Sequence, residues 1–140
     1  MISDKDYIFI KKILKAIKIF TKSQFTFQKP EKKEIVIFDK KSEFYISNLF
    51  EKNEYVILDT SFKVINIFII LKLIFSLKKL NYINYNSEII ELINPKFIFT
   101  FIDNNLGFYK IKKNFKNIKF ISIQNGTRFV TGDILEVLKK

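Results

Sequence analysis

Two rhythms of apolar residues alternate along the chain. In residues 5–22, Ile10, Ile13, Leu14, Ile17 and Phe20 recur at spacings of three and four, with Lys11, Lys15, Lys18 and Lys22 largely opposite, which predicts a basic amphipathic helix. Residues 21–33 then read as a polar linker ending in Pro30 and a charged cluster. From Glu34 the rhythm changes. Ile35, Val36, Ile37 and Phe38 form a continuous apolar run closed by Asp39, the mark of a strand covered on both faces. Ser42 is a suitable N-cap for a helix through Phe50, with Phe44, Tyr45 and Leu49 on its inner face. Residues 55–58 repeat the strand signature, and Asp59 closes it.

Residues 64–77 are apolar except for Asn66, Lys72 and Ser76, too short and interrupted for a bilayer span of about 20 apolar residues. A buried crossover helix is expected instead. Residues 81–86 read as a polar break, after which Ser87 caps a short helix carrying Ile89, Ile90 and Ile93, ended by Pro95. A third strand follows over 96–101, a helix carrying Phe108, Ile111 and Phe115, and a fourth strand over 119–123. This alternation predicts an α/β fold: an open, mostly parallel Rossmann-like sheet of about four strands with flanking helices, in residues 34–140. Residues 1–33 supply the preceding helix and linker.

Composition narrows the chemistry. The 140 residues contain no Cys and no His, which removes disulfides, zinc fingers, thiol nucleophiles and imidazole bases together. Catalysis must use carboxylates, amides, hydroxyls or lysine, and neither a metal nor a cofactor is expected. The net charge of +11 suggests nucleic acid, yet Arg128 stands alone among the basic residues, the rest being Lys. Readers of phosphates and base edges favour the planar arginine fork. With 26 Ile and 12 Asn, the residue mix is that of an AT-rich genome, so much of the charge reflects codon usage. The surplus is concentrated in residues 1–33, at +6. The predicted helix there packs on its own domain with its lysines in water, or lies on an anionic membrane surface. Residues 1–10 carry three acidic or basic groups before Ile10 and lead to no small-residue cleavage site, so no secretory signal is expected.

Ligands of open α/β sheets bind beyond the carboxyl ends of the strands. The candidate loops are therefore Asp39, Lys40, Lys41 and Ser42 after the first strand, Asp103, Asn104 and Asn105 after the third, and Gln124, Asn125, Gly126, Thr127 and Arg128 after the fourth. Lysines and helix-start amides suit a phosphate or carboxylate, although neither a Walker A sequence nor GxGxxG is present. Amide side chains suit hydroxyl-rich ligands and equally suit helix caps. Gly126 suggests close approach of a ligand or a turn, and Arg128 a bidentate anion contact.

The run from Pro95 to Arg128, PKFIFTFIDNNLGFYKIKKNFKNIKFISIQNGTR, resembles the signature of bacterial surface carbohydrate biosynthesis proteins, transferases related in architecture to GT-B glycosyltransferases. Ile102 to Asn105 with Phe108 and Tyr109, and Ile123 to Arg128, carry the likeness; Ile35 to Phe44 and Gly132–Asp133 are similar too. The resemblance implies the acceptor-side, N-terminal half of a transferase that builds lipopolysaccharide or capsule. It also implies a cytoplasmic location, with peripheral contact at the inner membrane face through residues 5–22 as the alternative. Its partner would be a glycan or lipid-linked glycan acceptor, and a nucleotide-sugar donor would need a second domain that these residues lack. Asp103 is the candidate general base toward an acceptor hydroxyl. The alternative is a non-enzymatic basic module that binds nucleic acid, which most of the Phe and Tyr residues argue against because they fall inside apolar runs, or one that associates with a membrane surface.

Overall fold

The computed structural model describes residues 21–102 and 104–124. Within them the chain is α/β, with two parallel sheets and four α-helices. The strands are β1 (Gln24–Thr26), β2 (Ile35–Phe38), β3 (Tyr55–Leu58), β4 (Val64–Asn66), β5 (Phe97–Thr100) and β6 (Lys119–Ser122). The helices are α1 (Lys40–Ile46), followed by a 3-10 turn, α2 (Ile67–Phe75), α3 (Tyr82–Ile93) and α4 (Leu106–Lys112). The larger sheet runs in the order β3-β2-β5-β6, all parallel, with Ile37 opposite both Ile57 and Phe99. The smaller pairs β1 with β4.

The apolar runs become strands because their side chains are wanted on both faces. Val36, Phe38, Leu58 and Ile98 pack with Ile90 and Ile93 of α3 and Phe108 and Ile111 of α4. Strand residues one step out of phase point the other way. There Phe50, just past the 3-10 turn, packs against Phe99, and Tyr45 of α1 stacks on Phe101. Helices therefore lie on both faces of the sheet. A second cluster joins Ile69 and Leu73 of α2 to Tyr85 of α3, beyond the first layer.

Several local expectations need correction. Gln24–Thr26 is not linker: it is a strand bonded to β4, which ties the segment to the body of the protein. The helix after β2 is capped by Asp39, whose carboxylate accepts from Lys41 N–H, and its inner face is Ser42 and Ile46, while Phe44, Tyr45 and Leu49 are exposed. Ser42 was a worse cap because its hydroxyl is used deeper inside. The supposed polar break is the first half of α3, capped by the Asn81 side chain on Asn84 N–H, and Ser87 lies mid-helix. Tyr82, Tyr85 and Glu88 find partners on other elements and Asn86 bonds the Tyr82 C=O of its own helix, so polarity did not mark a loop. Asn94, in the left-handed conformation at φ 53°, ends α3 just before Pro95. The apolar stretch 64–77 is a three-residue strand plus a helix, and the described residues cover one side of that helix. Among the described residues no helix is long and apolar enough to cross a membrane. The predicted helix over 5–22 lies outside them except for Thr21 and Lys22, which are helical.

Beneath α2 sits the most buried charge. Glu88 is 1% exposed and is held by Lys72 of α2 and by Lys78, 3.0 Å away. Burial alone would push its carboxyl up, but the hydrogen bonds and charges of the two ammonium groups outweigh that and hold it below its ordinary value.

Candidate functional site

Strand order fixes where a ligand can enter. From β2 the chain leaves toward β3 on one side, and β5 lies on the other, so the loops after β2 and β5 part at the carboxyl edge and leave a crevice between them.

The β2 loop turns sharply. Asp39 adopts φ 77°, ψ 131°, a conformation that costs a non-glycine residue free energy and persists only where surroundings hold it. They do so here. Asp39 Oδ1 accepts from Lys41 N–H at 3.0 Å, and Oδ2 accepts from the Thr60 hydroxyl at 3.4 Å. Thr60 in turn hydrogen-bonds the Tyr82 phenol at the start of α3. Burial pushes that phenol above its ordinary value, the Thr60 bond opposes the rise, and the Asp39 carboxylate adds to it. Tyr82 is therefore a neutral hydroxyl throughout the physiological range. Its ring also explains Gly107 in α4, because a Cβ there would come within 2.7 Å of the Tyr82 ring.

The β5 side is tied to the β2 side through a buried lock. Ser42 is fully enclosed; its Oγ accepts from Phe101 N–H at 3.0 Å and lies 3.5 Å from the Thr100 hydroxyl, whose oxygen accepts from Ile102 N–H at 3.2 Å. Ser42 is thus not placed to meet a ligand, in contrast to the expectation for it. Asn105 is also spoken for, its Oδ1 accepting from Gly107 and Phe108 N–H to cap α4. What remains outward-facing is Lys40, Lys41, Asn104 and Gln124, all exposed. Asp103, Asn125, Gly126, Thr127 and Arg128 lie outside the described residues.

Lys41 also borders an open hollow of about 390 Å³ whose other walls are Phe44, Tyr45, Phe101 and Ile102. Tyr45 and Phe101 stack at 4.3 Å between centroids, nearly parallel, and Phe44 meets Tyr45 edge-on at 5.2 Å. The hollow includes Phe101 and Ile102, which lead out of β5, so aromatic faces and an ammonium group share one corner. Sequence reading missed Thr60, Tyr82, Tyr45 and Phe101 as site neighbours. Thr60 was reachable in principle, since it follows β3 as the named residues follow β2 and β5; Tyr82 was hidden by the misread start of α3. Among the described residues no cluster of acidic side chains could hold a metal ion.

Compared with protein-family models, curated proteins and solved structures, the chain matches none.

Proposed function

We propose that the chain is a Rossmann-like, acceptor-side domain of a glycan-building transferase of the surface-carbohydrate kind. The observation that carries this reading is the corner at the β2/β5 divergence, where Lys41 and the aromatic hollow stand beside the Asn104 loop. A pyranose presents apolar C–H faces and a rim of hydroxyls, so it needs a flat aromatic wall together with donors and acceptors that are not already consumed. Tyr45, Phe101 and Phe44 supply the wall, and Lys41 and Asn104 the polar rim. The strand order, with helices on both faces, supports the doubly wound architecture.

In this reading Asp39 and Ser42 act as positioning residues: Asp39 sets the turn that carries Lys40 and Lys41, and Ser42 fixes β5 to α1. Asp103, next to Asn104 in sequence, takes the proton of the acceptor hydroxyl as its oxygen attacks the donor's anomeric carbon, while the bond from that carbon to the nucleoside diphosphate breaks and the diphosphate leaves with the electron pair. The nucleotide-sugar donor is bound by a second domain, and Gln124 to Arg128, which follow β6 in the chain, contribute contacts to the acceptor.

Saturation-transfer NMR on the full chain with a panel of neutral and acidic mono- and disaccharides tests this. At least one class should receive saturation, and Lys41→Ala or Tyr45→Ala should weaken its binding about tenfold, the effect of losing one charged or stacking contact. Saturation of none of the sugars, or equal binding by both variants, would overturn the reading.

A further inference from the structure

Helix α2 is apolar at every position but Lys72, and such a helix belongs in apolar surroundings on most sides. The described residues cover one. Ile69 and Leu73 are fully buried against Tyr85 of α3, with Ile70 beside them. Phe68, Leu71, Ile74 and Phe75, on the opposite side, are exposed. The exposed stripe continues past the helix end into a tip, Ser76 to Leu80, where Phe75 is 82% and Leu77 95% exposed and Leu80 follows.

Leu77 is the telling residue. The helix ends in a Schellman-type turn, with Lys78 N–H bonding Leu73 C=O and Leu77 N–H bonding Ile74 C=O. Leu77 occupies the left-handed position of that turn at φ 53°, where glycine is the relaxed choice. A leucine there strains the backbone and, almost wholly in solvent, buries nothing in return. Folding does not explain it, whereas insertion into an apolar phase does.

Charge identifies that phase. Residues 60–87 contain four lysines, Lys63, Lys72, Lys78 and Lys79, and no acidic residue. Of the two carboxylates that reach these lysines, Glu88 is buried beneath Lys72 and Lys78, and the half-exposed Glu91 lies 3.9 Å from Lys78. An apolar tip that carries Lys78 and Lys79, on a segment whose own residues include no acid, matches an anionic bilayer interface, where aliphatic and aromatic groups sink to the acyl boundary and ammonium groups snorkel to the headgroups.

We infer that the outer face of α2 and its 75–80 tip form a docking surface for anionic phospholipid membranes. The inference does not depend on the acceptor reading above.

The test is co-sedimentation of the full chain with vesicles of phosphatidylcholine alone or containing phosphatidylglycerol. Wild type should bind the anionic vesicles, more weakly as salt rises, and bind phosphatidylcholine poorly. The triple variant F75S/L77N/L80N should lose at least about tenfold in partitioning, as should K63E/K79E, which leaves the apolar residues and the Glu88 pairs intact. Leu77→Gly should raise the melting temperature while lowering vesicle binding, a pairing that a purely structural role for Leu77 would not produce. Wild-type failure on anionic vesicles, self-association through this face without lipid binding, or unchanged binding by the triple variant, checked as folded by circular dichroism, would overturn the inference.

Discussion

The carboxyl edge of the main sheet and the outer face of α2 solve opposite problems. At the sheet edge, polar groups are abundant and most are consumed internally: Ser42 on Phe101, Asp39 on Lys41 and Thr60, and Asn105 on the start of α4. Only a few polar groups, Lys41 and Asn104 among them, are left facing solvent. At α2 the apolar groups are abundant, and half are consumed by α3 while the rest face outward. The comparison shows that residue type alone does not mark a surface as functional. The informative residues are those whose exposure the fold itself does not require.

That contrast predicts a graded set of stabilities. Truncating a residue shared by sheet and helix is the most damaging change: Phe108→Ala, which removes the edge-on contact with Phe38, should cost about 3–4 kcal/mol. Phe75→Ser, an aromatic loss of similar size on the outer face of α2, should stay within about 0.5 kcal/mol. Denaturant melts of the two variants separate covered from uncovered apolar surface. A large cost for Phe75→Ser would mean that face is covered within the protein.

The joint between α2 and α3 comes next. Glu88→Gln leaves Lys72 and Lys78 without their carboxylate, and because both ammonium groups are part-exposed and can rehydrate, the cost should be about 2 kcal/mol. Its pH dependence has a definite sign. The Glu88 carboxyl is held below its ordinary 4.5, so its contribution is complete above that pH and is lost as pH falls through the depressed folded value. Acid titration of stability should therefore fall more steeply for wild type than for Glu88→Gln.

A smaller effect is expected at the sheet edge. Gly107→Ala gains helix propensity but sets a methyl against the Tyr82 ring, for a net cost of about 1 kcal/mol. In a Tyr82→Leu background that cost should vanish, which a double-mutant cycle would read directly.

The sequence made the sheet legible because each strand of the main sheet is a closed apolar run bounded by polar residues. Ile35–Phe38 and Tyr55–Leu58 match the expected bounds, and Phe97–Thr100 and Lys119–Ser122 fall within one or two residues of them. Helices were harder. The beginning of α3 hid behind Asn81, Asn84 and Asn86, whose amides cap the helix, bond the Lys79 C=O just before it and bond its backbone instead of breaking it. The β1–β4 pair was invisible because three-residue strands carry too little pattern, and Val64–Asn66 merges into the apolar run of α2. At the candidate site the loops were found by position after the strands. Which of their side chains face outward was not, since that depends on partners such as Thr60 and Phe101 that lie 21 and 59 residues away in the chain.

The smallest predicted change is also the sharpest on the α2 side: Leu77→Gly should stabilise the chain by about 0.5 kcal/mol by relieving the left-handed turn.

The acceptor reading is tested most directly by amide chemical-shift mapping of the full chain titrated with the saccharide class that receives saturation. Shifts should concentrate on Lys41, Phe44, Tyr45, Phe101, Ile102 and Asn104 and leave the α2 amides unmoved. Shifts centred elsewhere, or scattered evenly over the surface, would contradict the placement of a sugar site at the divergence of β2 and β5.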